Sequence, residues 1–122
     1  MTASALRQRI QVRQQEVCDL LRSIQQRRPL IRGSVYPLRR KCGKTLCRCQ
    51  EGHLHESWVL SVPENSRKRL RTVPKGKRLS WQAMADRYRR FRQSRARLVK
   101  LFAEILTLVD EMERQRTVSP PQ

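Results

Sequence analysis

The sequence predicts an α+β chain, mainly α: a long antiparallel, coiled-coil-like two-helix hairpin with a small three-stranded module inserted between its helices. Three observations carry that expectation. Apolar residues recur at 3-4 spacing at both ends of the chain, as one face of a helix requires, while between them the period drops towards two. Only 38% of the 122 residues are apolar and 5% aromatic, too few for a thick core. Two helices sharing one seam need less apolar material than a sandwich of sheets. The boundaries follow as residues 1–28 for the first helix, 29–79 for the module, 80–116 for the second helix and 117–122 for a disordered tail.

The first helix is expected over residues 3–27. Ala3, Leu6, Ile10, Val17, Leu20 and Ile24 fill six of eight a/d heptad positions, with Arg13 and Arg27 in the other two. Thr2 offers an N-capping hydroxyl, and Pro29 ends the helix by pushing its predecessor out of the α region. Three short strands are expected next, Ser34–Arg40, Ser57–Val62 and Arg67–Val73, with Pro63–Ser66 as the turn between the last two. Pro37 confines the first strand to an edge or a bulge. The second helix is expected from Ser80, as N-cap, to Gln115. Met84, Tyr88, Phe91, Leu98, Phe102, Ile105, Val109 and Met112 hold its seam, with Arg95 the exception.

Two antiparallel registers are open to such helices. One sets Arg13 opposite Arg95, a like-charge pair with nothing to offset it. The other opposes Ile24 to Phe91, Val17 to Leu98, Ile10 to Ile105 and Leu6 to Val109. The second is the expected one.

Between the first two strands, Cys42, Cys47, Cys49 and His55 fall within fourteen residues. Thiolate and imidazole at such intervals are the donors a tetrahedral zinc ion takes. A segment too small to bury a core can fold around the ion, because binding energy is also folding energy. The module is therefore expected to be zinc-ribbon-like, with structural Zn2+ on Cys42, Cys47, Cys49 and His55, and with His53 competing for the fourth position. The Cys47-x-Cys49 step is too tight for two sulfurs on a helix and implies a turn or strand end, with Gly43 and Gly52 bending the backbone beside the ligands. A metal-free basic loop and a disulfide are the competing readings. Four protein ligands leave no position for water, which argues against catalytic zinc. With no carboxylate dyad, no nucleophile–base pair and no phosphate-cradling glycine loop, no enzyme is expected.

The chain carries 28 Lys and Arg against 10 Asp and Glu, a net charge of +18. The excess is +2 over residues 1–26, +12 over 27–78 and +4 over 79–122, so it centres on the cysteines. Such a chain seeks polyanions. Arg39, Arg40, Lys41, Lys44, Arg48, Arg67, Lys68, Arg69, Arg71, Arg87 and Arg90 are the candidate nucleic-acid contacts. Six to ten phosphates engaged at once imply an affinity loss of about 10³–10⁵-fold between about 50 and 200 mM salt. Tyr36 and Trp58 can stack on bases, although packing between sheet and helix is the more ordinary use of such residues, and Trp81 belongs to the same junction. Nothing resembles a membrane span or a signal peptide. A cytoplasmic, reducing location is expected, on the nucleoid if the target is DNA.

Gly33-Ser34-Val35-Tyr36, Arg40-Lys41-Cys42-Gly43-Lys44, Cys47-Arg48-Cys49, Gly52 and His55, followed by an aromatic strand ending in Leu60-Ser61, resemble a family of small, largely uncharacterised bacterial proteins. The resemblance covers residues 31–75, together with a following Tyr88-Arg89-Arg90-Phe91 helix. Members are often encoded beside transposases and mobile elements, so the resemblance implies that context without an activity. It also favours His55 over His53, because the family's histidine follows Gly-x-x. Glu56-Ser57-Trp58 departs from the family's Gly-Pro-Tyr.

The leading functional expectation is a zinc-stabilised, nucleic-acid-binding accessory protein, DNA being the first candidate, linked to a transposase or other mobile-element machinery. Two alternatives stand beside it: RNA binding, and a protein-interaction adaptor whose helices dock a transposase, a recombinase or a second copy. Leu101, Leu106 and Leu108, placed beyond the expected seam, give the adaptor reading its apolar face.

Overall fold

A computed structural model describes residues 1–121 of the chain. Two α-helices and a three-stranded antiparallel sheet follow in the order α1 (Ala3–Ile24), β1 (Ser34–Arg40), β2 (His55–Glu64), β3 (Arg67–Thr72) and α2 (Arg78–Arg116), with a 3-10 turn at Arg48–Glu51. No helix is long and apolar enough to cross a membrane, among the described residues. Residues 117–121 of the expected tail form neither helix nor strand, although Thr117 donates both its N–H and its hydroxyl to the Glu113 carbonyl. Gln122 lies outside the described residues. The chain divides into two compact units, one of residues 1–27 with those from Phe91 onward, the other of Arg28–Arg90.

In the helical unit, the Thr2 hydroxyl accepts the Ala5 N–H at 3.1 Å and so caps α1 as expected. The helix stops at Ile24 rather than residue 27, and its last returning bonds come from the N–H groups of Gln25 and Gln26. Val17, Leu98 and Leu101 form the buried centre, with Leu20, Ile24 and Ile105 packed on it. Arg13 Nε meets Glu104 Oε2 at 2.9 Å, and Arg97 grips both Glu16 oxygens, at 2.8 and 3.1 Å. Gln115 Nε2 donates to the Met1 carbonyl. As numbers rise along α1 their partners fall along α2, so these contacts run antiparallel, in the register that opposes Val17 to Leu98.

The seam of α2 differs from expectation by one residue at alternate positions. Phe102 is 49% exposed, whereas Leu101 is fully buried at 0%. The inward row is Ser94, Leu98, Leu101, Ile105, Leu108 and Met112, each buried or half-buried. Position 91 allows either row, because steps of three and of four are both neighbours on a helix. Burial settles the choice: the row through Arg95, Phe102 and Val109 starts with a cation that a seam would have to desolvate, and the row through Ser94, Leu101 and Leu108 does not.

In the sheet unit the strand order is β1-β2-β3, and β1 is an edge strand, as Pro37 demands. Val35, Leu60, Val73 and Ala85 form its buried centre, with Ile31, Trp58, Val62 and Trp81 packed around them. The Arg78 guanidinium lies 3.6 Å from the Trp58 ring centroid, a cation–π contact worth about 0.5–1 kcal/mol at a partly exposed site. Gly33 admits no side chain: a Cβ would sit 2.6 Å from the Ser61 carbonyl oxygen. The β2–β3 turn is tighter than expected. Pro63 and Glu64 stay in the ladder, opposite Lys68 and Arg67, and only Asn65 (φ 47°) and Ser66 (φ 67°) turn the chain. Two successive residues at positive φ match the type I′ geometry that suits the twist of a hairpin. Ser80 is not an N-cap, because α2 begins at Arg78 and Lys77 supplies the first carbonyl, to the Trp81 N–H at 2.9 Å.

Candidate metal centre

β1 and β2 are joined by a loop that brings four donors together. Arg40 and His55 are partners at the end of the β1–β2 ladder, so β2 opens on one of the four donors. From Arg40 the chain reaches Cys42, whose N–H donates to Cys49 Sγ at 3.2 Å and whose sulfur lies 3.4 Å from that of Cys49. Cys47 stands at the N-cap of the 3-10 turn, and Cys49 lies buried within it. The expected turn at Cys47-x-Cys49 is thus the opening of a one-turn helix. Gly52 (φ 97°) closes that turn in a left-handed conformation, where a side chain would be strained. Its N–H returns to the Cys49 carbonyl, and His53 returns its own to Arg48. The chain then extends to His55, whose Nε2 lies 3.0 Å from Cys47 Sγ. Gly43 has no comparable duty, since a Cβ there meets open space and its φ is not positive.

The donor atoms of Cys42, Cys47, Cys49 and His55 all lie within 4.8 Å of one another and can hold a metal ion. Four donors about 2.0–2.3 Å from one ion in tetrahedral geometry stand roughly 3.3–3.8 Å apart, a spacing the observed 3.0–4.8 Å range brackets. His53 is not in this group, so the histidine left open between two positions is His55.

The thiols are poised differently. A backbone hydrogen bond from Cys49, then the His55 imidazole, hold the Cys47 thiol down to about 6 from its ordinary 9.0. Burial pushes the Cys49 thiol the other way. A thiol lowered this far is substantially thiolate at neutral pH, the form in which sulfur ligates metal.

Eight of the eleven candidate cations fall into two groups. Arg39, Arg40, Lys41, Lys44 and Arg48 are exposed on the end of β1 and on the cysteine loop, with Arg39 tied to Glu56 at 2.9 Å. Arg67, Lys68 and Arg69 are exposed at the other end of the sheet, opposite Glu64, Pro63 and Val62. From His55 to Glu64 is nine residue steps along a ten-residue strand, about 30 Å at roughly 3.3 Å per step. Arg71 lies between, opposite Leu60. These residues also lie on an edge strand, where cations block strand-to-strand association. Arg69 is partly answered by Glu64 at 3.6 Å. Arg87 is half-buried and donates Nε to the Pro29 carbonyl at 3.1 Å, a structural task, while Arg90 stays exposed. Tyr36 is half-buried, and Trp58 and Trp81 pack against the sheet core.

Composition did not single out Leu46. It is 99% exposed between Lys44 and Arg48, and an apolar residue between two of the cysteines, with no strand or helix to bury it, was the available signal. No family model, curated protein or solved structure matches the chain.

Proposed function

We propose that the chain is a nucleic-acid-binding accessory protein, DNA being the first candidate, whose contact surface is the metal loop stiffened by structural zinc. The observation that carries this reading is the coincidence of three thiols and an imidazole with five exposed cations on one short loop and the adjoining strand end. Cys42, Cys47, Cys49 and His55 would hold the ion. A closed set of three sulfurs and one nitrogen suits zinc and leaves no open position for catalysis. Bound there, zinc would fix the loop so that Arg40, Lys41, Lys44 and Arg48 meet phosphates without first being ordered, and Leu46 would press on a sugar or base. The link to a transposase or other mobile-element machinery rests on the motif resemblance alone.

The division of the cations revises the electrostatics. Four or five phosphate contacts from the loop, rather than six to ten, give a slope of log affinity on log salt of about −3.6 to −4.5, or roughly a 150- to 500-fold loss between about 50 and 200 mM. Gel-shift titration against duplex DNA, single-stranded DNA and RNA, at several salt concentrations, tests this. Lys44→Ala with Arg48→Ala should lower the slope by about two, while Lys68→Ala should leave it nearly unchanged. Absence of binding at low salt would end the proposal.

A further inference from the structure

α2 carries a second apolar row that none of the described residues covers. Val99, Phe102, Leu106 and Val109 are 43–61% exposed and follow steps of three, four and three. Those steps put all four on one face, about 100° around the helix from the Leu98–Leu101–Ile105 seam. The row corrects the face expected of Leu101, Leu106 and Leu108, since Leu101 and Leu108 turn inward. Ala96 and Ala103 flank it, small and exposed, and let another backbone approach closely. On α1 the exposed large apolar residues are Val12 and Leu21, nine positions apart and unable to form a matching row.

We propose that this row is the interface of a symmetric dimer, in which α2 of one copy lies antiparallel against α2 of a second. Charge selects both partner and direction. Arg95 continues the row towards the N-terminus and Glu113 towards the C-terminus, and neither has an ion-pair partner among the described residues. A two-fold axis beside Glu104 sets Val99 opposite Val109, Phe102 opposite Leu106 and Arg95 opposite Glu113, each contact made twice. A parallel pair would instead set Arg95 against Arg95 and Glu113 against Glu113. The next positions out, Arg92 and Arg116, meet as like charges in the last turn of the helix and end the interface there. From Arg95 to Glu113 the contact is about 27 Å long, at roughly 1.5 Å per residue. Four apolar positions per copy make a modest interface, so the dimer forms in the micromolar range rather than the nanomolar.

Sedimentation of the full-length, nuclease-treated chain across a concentration series tests the proposal. The expected result is a mass rising from one chain to two. Arg95→Glu alone and Glu113→Arg alone should each weaken association about tenfold or more, and the two together should restore it, because the swapped pair is again complementary. Phe102→Asp should abolish association. All three substituted positions are exposed, and circular dichroism at low concentration checks that each variant keeps its helices. A chain monomeric at every concentration overturns the proposal, as does a double swap no better than either single one.

Discussion

Replacing Leu101 and Phe102 by alanine, one at a time, measures which residue of α2 faces α1. Leu101 is fully buried among Val17 and Leu98, so its loss removes a complete side chain from water-free packing and leaves a cavity. Substitutions of this kind cost about 2–5 kcal/mol. Phe102 is 49% exposed, so only about half of its transfer energy is at stake, roughly 1 kcal/mol. At about 4 °C per kcal/mol for a domain of this size, Leu101→Ala should lower the melting temperature by roughly 8–20 °C and Phe102→Ala by about 4 °C. Far-ultraviolet circular dichroism follows the helices directly, at concentrations low enough to keep the chain monomeric. Equal shifts, or a larger one for Phe102→Ala, would refute the placement of the seam and with it the exposed row on which the dimer rests.

Two further outcomes follow. The bidentate Arg97 pair holds the Glu16 carboxyl below its ordinary 4.5, so this contribution to helical stability is complete above that value and is lost as pH falls through the lowered one. Melting of the wild-type chain should therefore drop more steeply than that of Glu16→Gln as pH is lowered from neutral into the acid range; parallel curves would remove Glu16 from the account. Ser66 sits at φ 67°, where a β-carbon is strained, and Ser66→Gly should stabilise the hairpin by about 0.5–1 kcal/mol in thermal melts. A destabilised variant would mean that the serine side chain is needed at the turn.

Much of the architecture was legible because local signals agreed. Thr2, Pro29 and the 3-4 spacing marked α1, and Pro37 marked an edge strand. The like-charge penalty at Arg13 and Arg95 picked the helix register that the Arg13–Glu104 and Glu16–Arg97 pairs follow. The choice between Leu101 and Phe102 was hidden, because steps of three and four are equivalent until burial counts against Arg95. The start of α2 moved because Lys77, not Ser80, supplies its first carbonyl.

The site was legible in its residue types and obscure in its geometry. Spacing named three cysteines and left two histidines. The left-handed bend at Gly52 and the start of β2 at His55 decide between them, and neither is visible in composition. Counting cations suggested one basic end. Strand pairing divides them, because β3 runs away from the two-residue turn at the opposite end of the sheet from the cysteine loop.

Metal content of the purified protein, compared between the native chain and Cys47→Ser, tests the central claim most directly. One zinc per native chain is expected, with the variant losing most of it and its loop amides becoming rapidly exchangeable. A native chain free of transition metal whose loop is nonetheless protected from exchange would contradict the account.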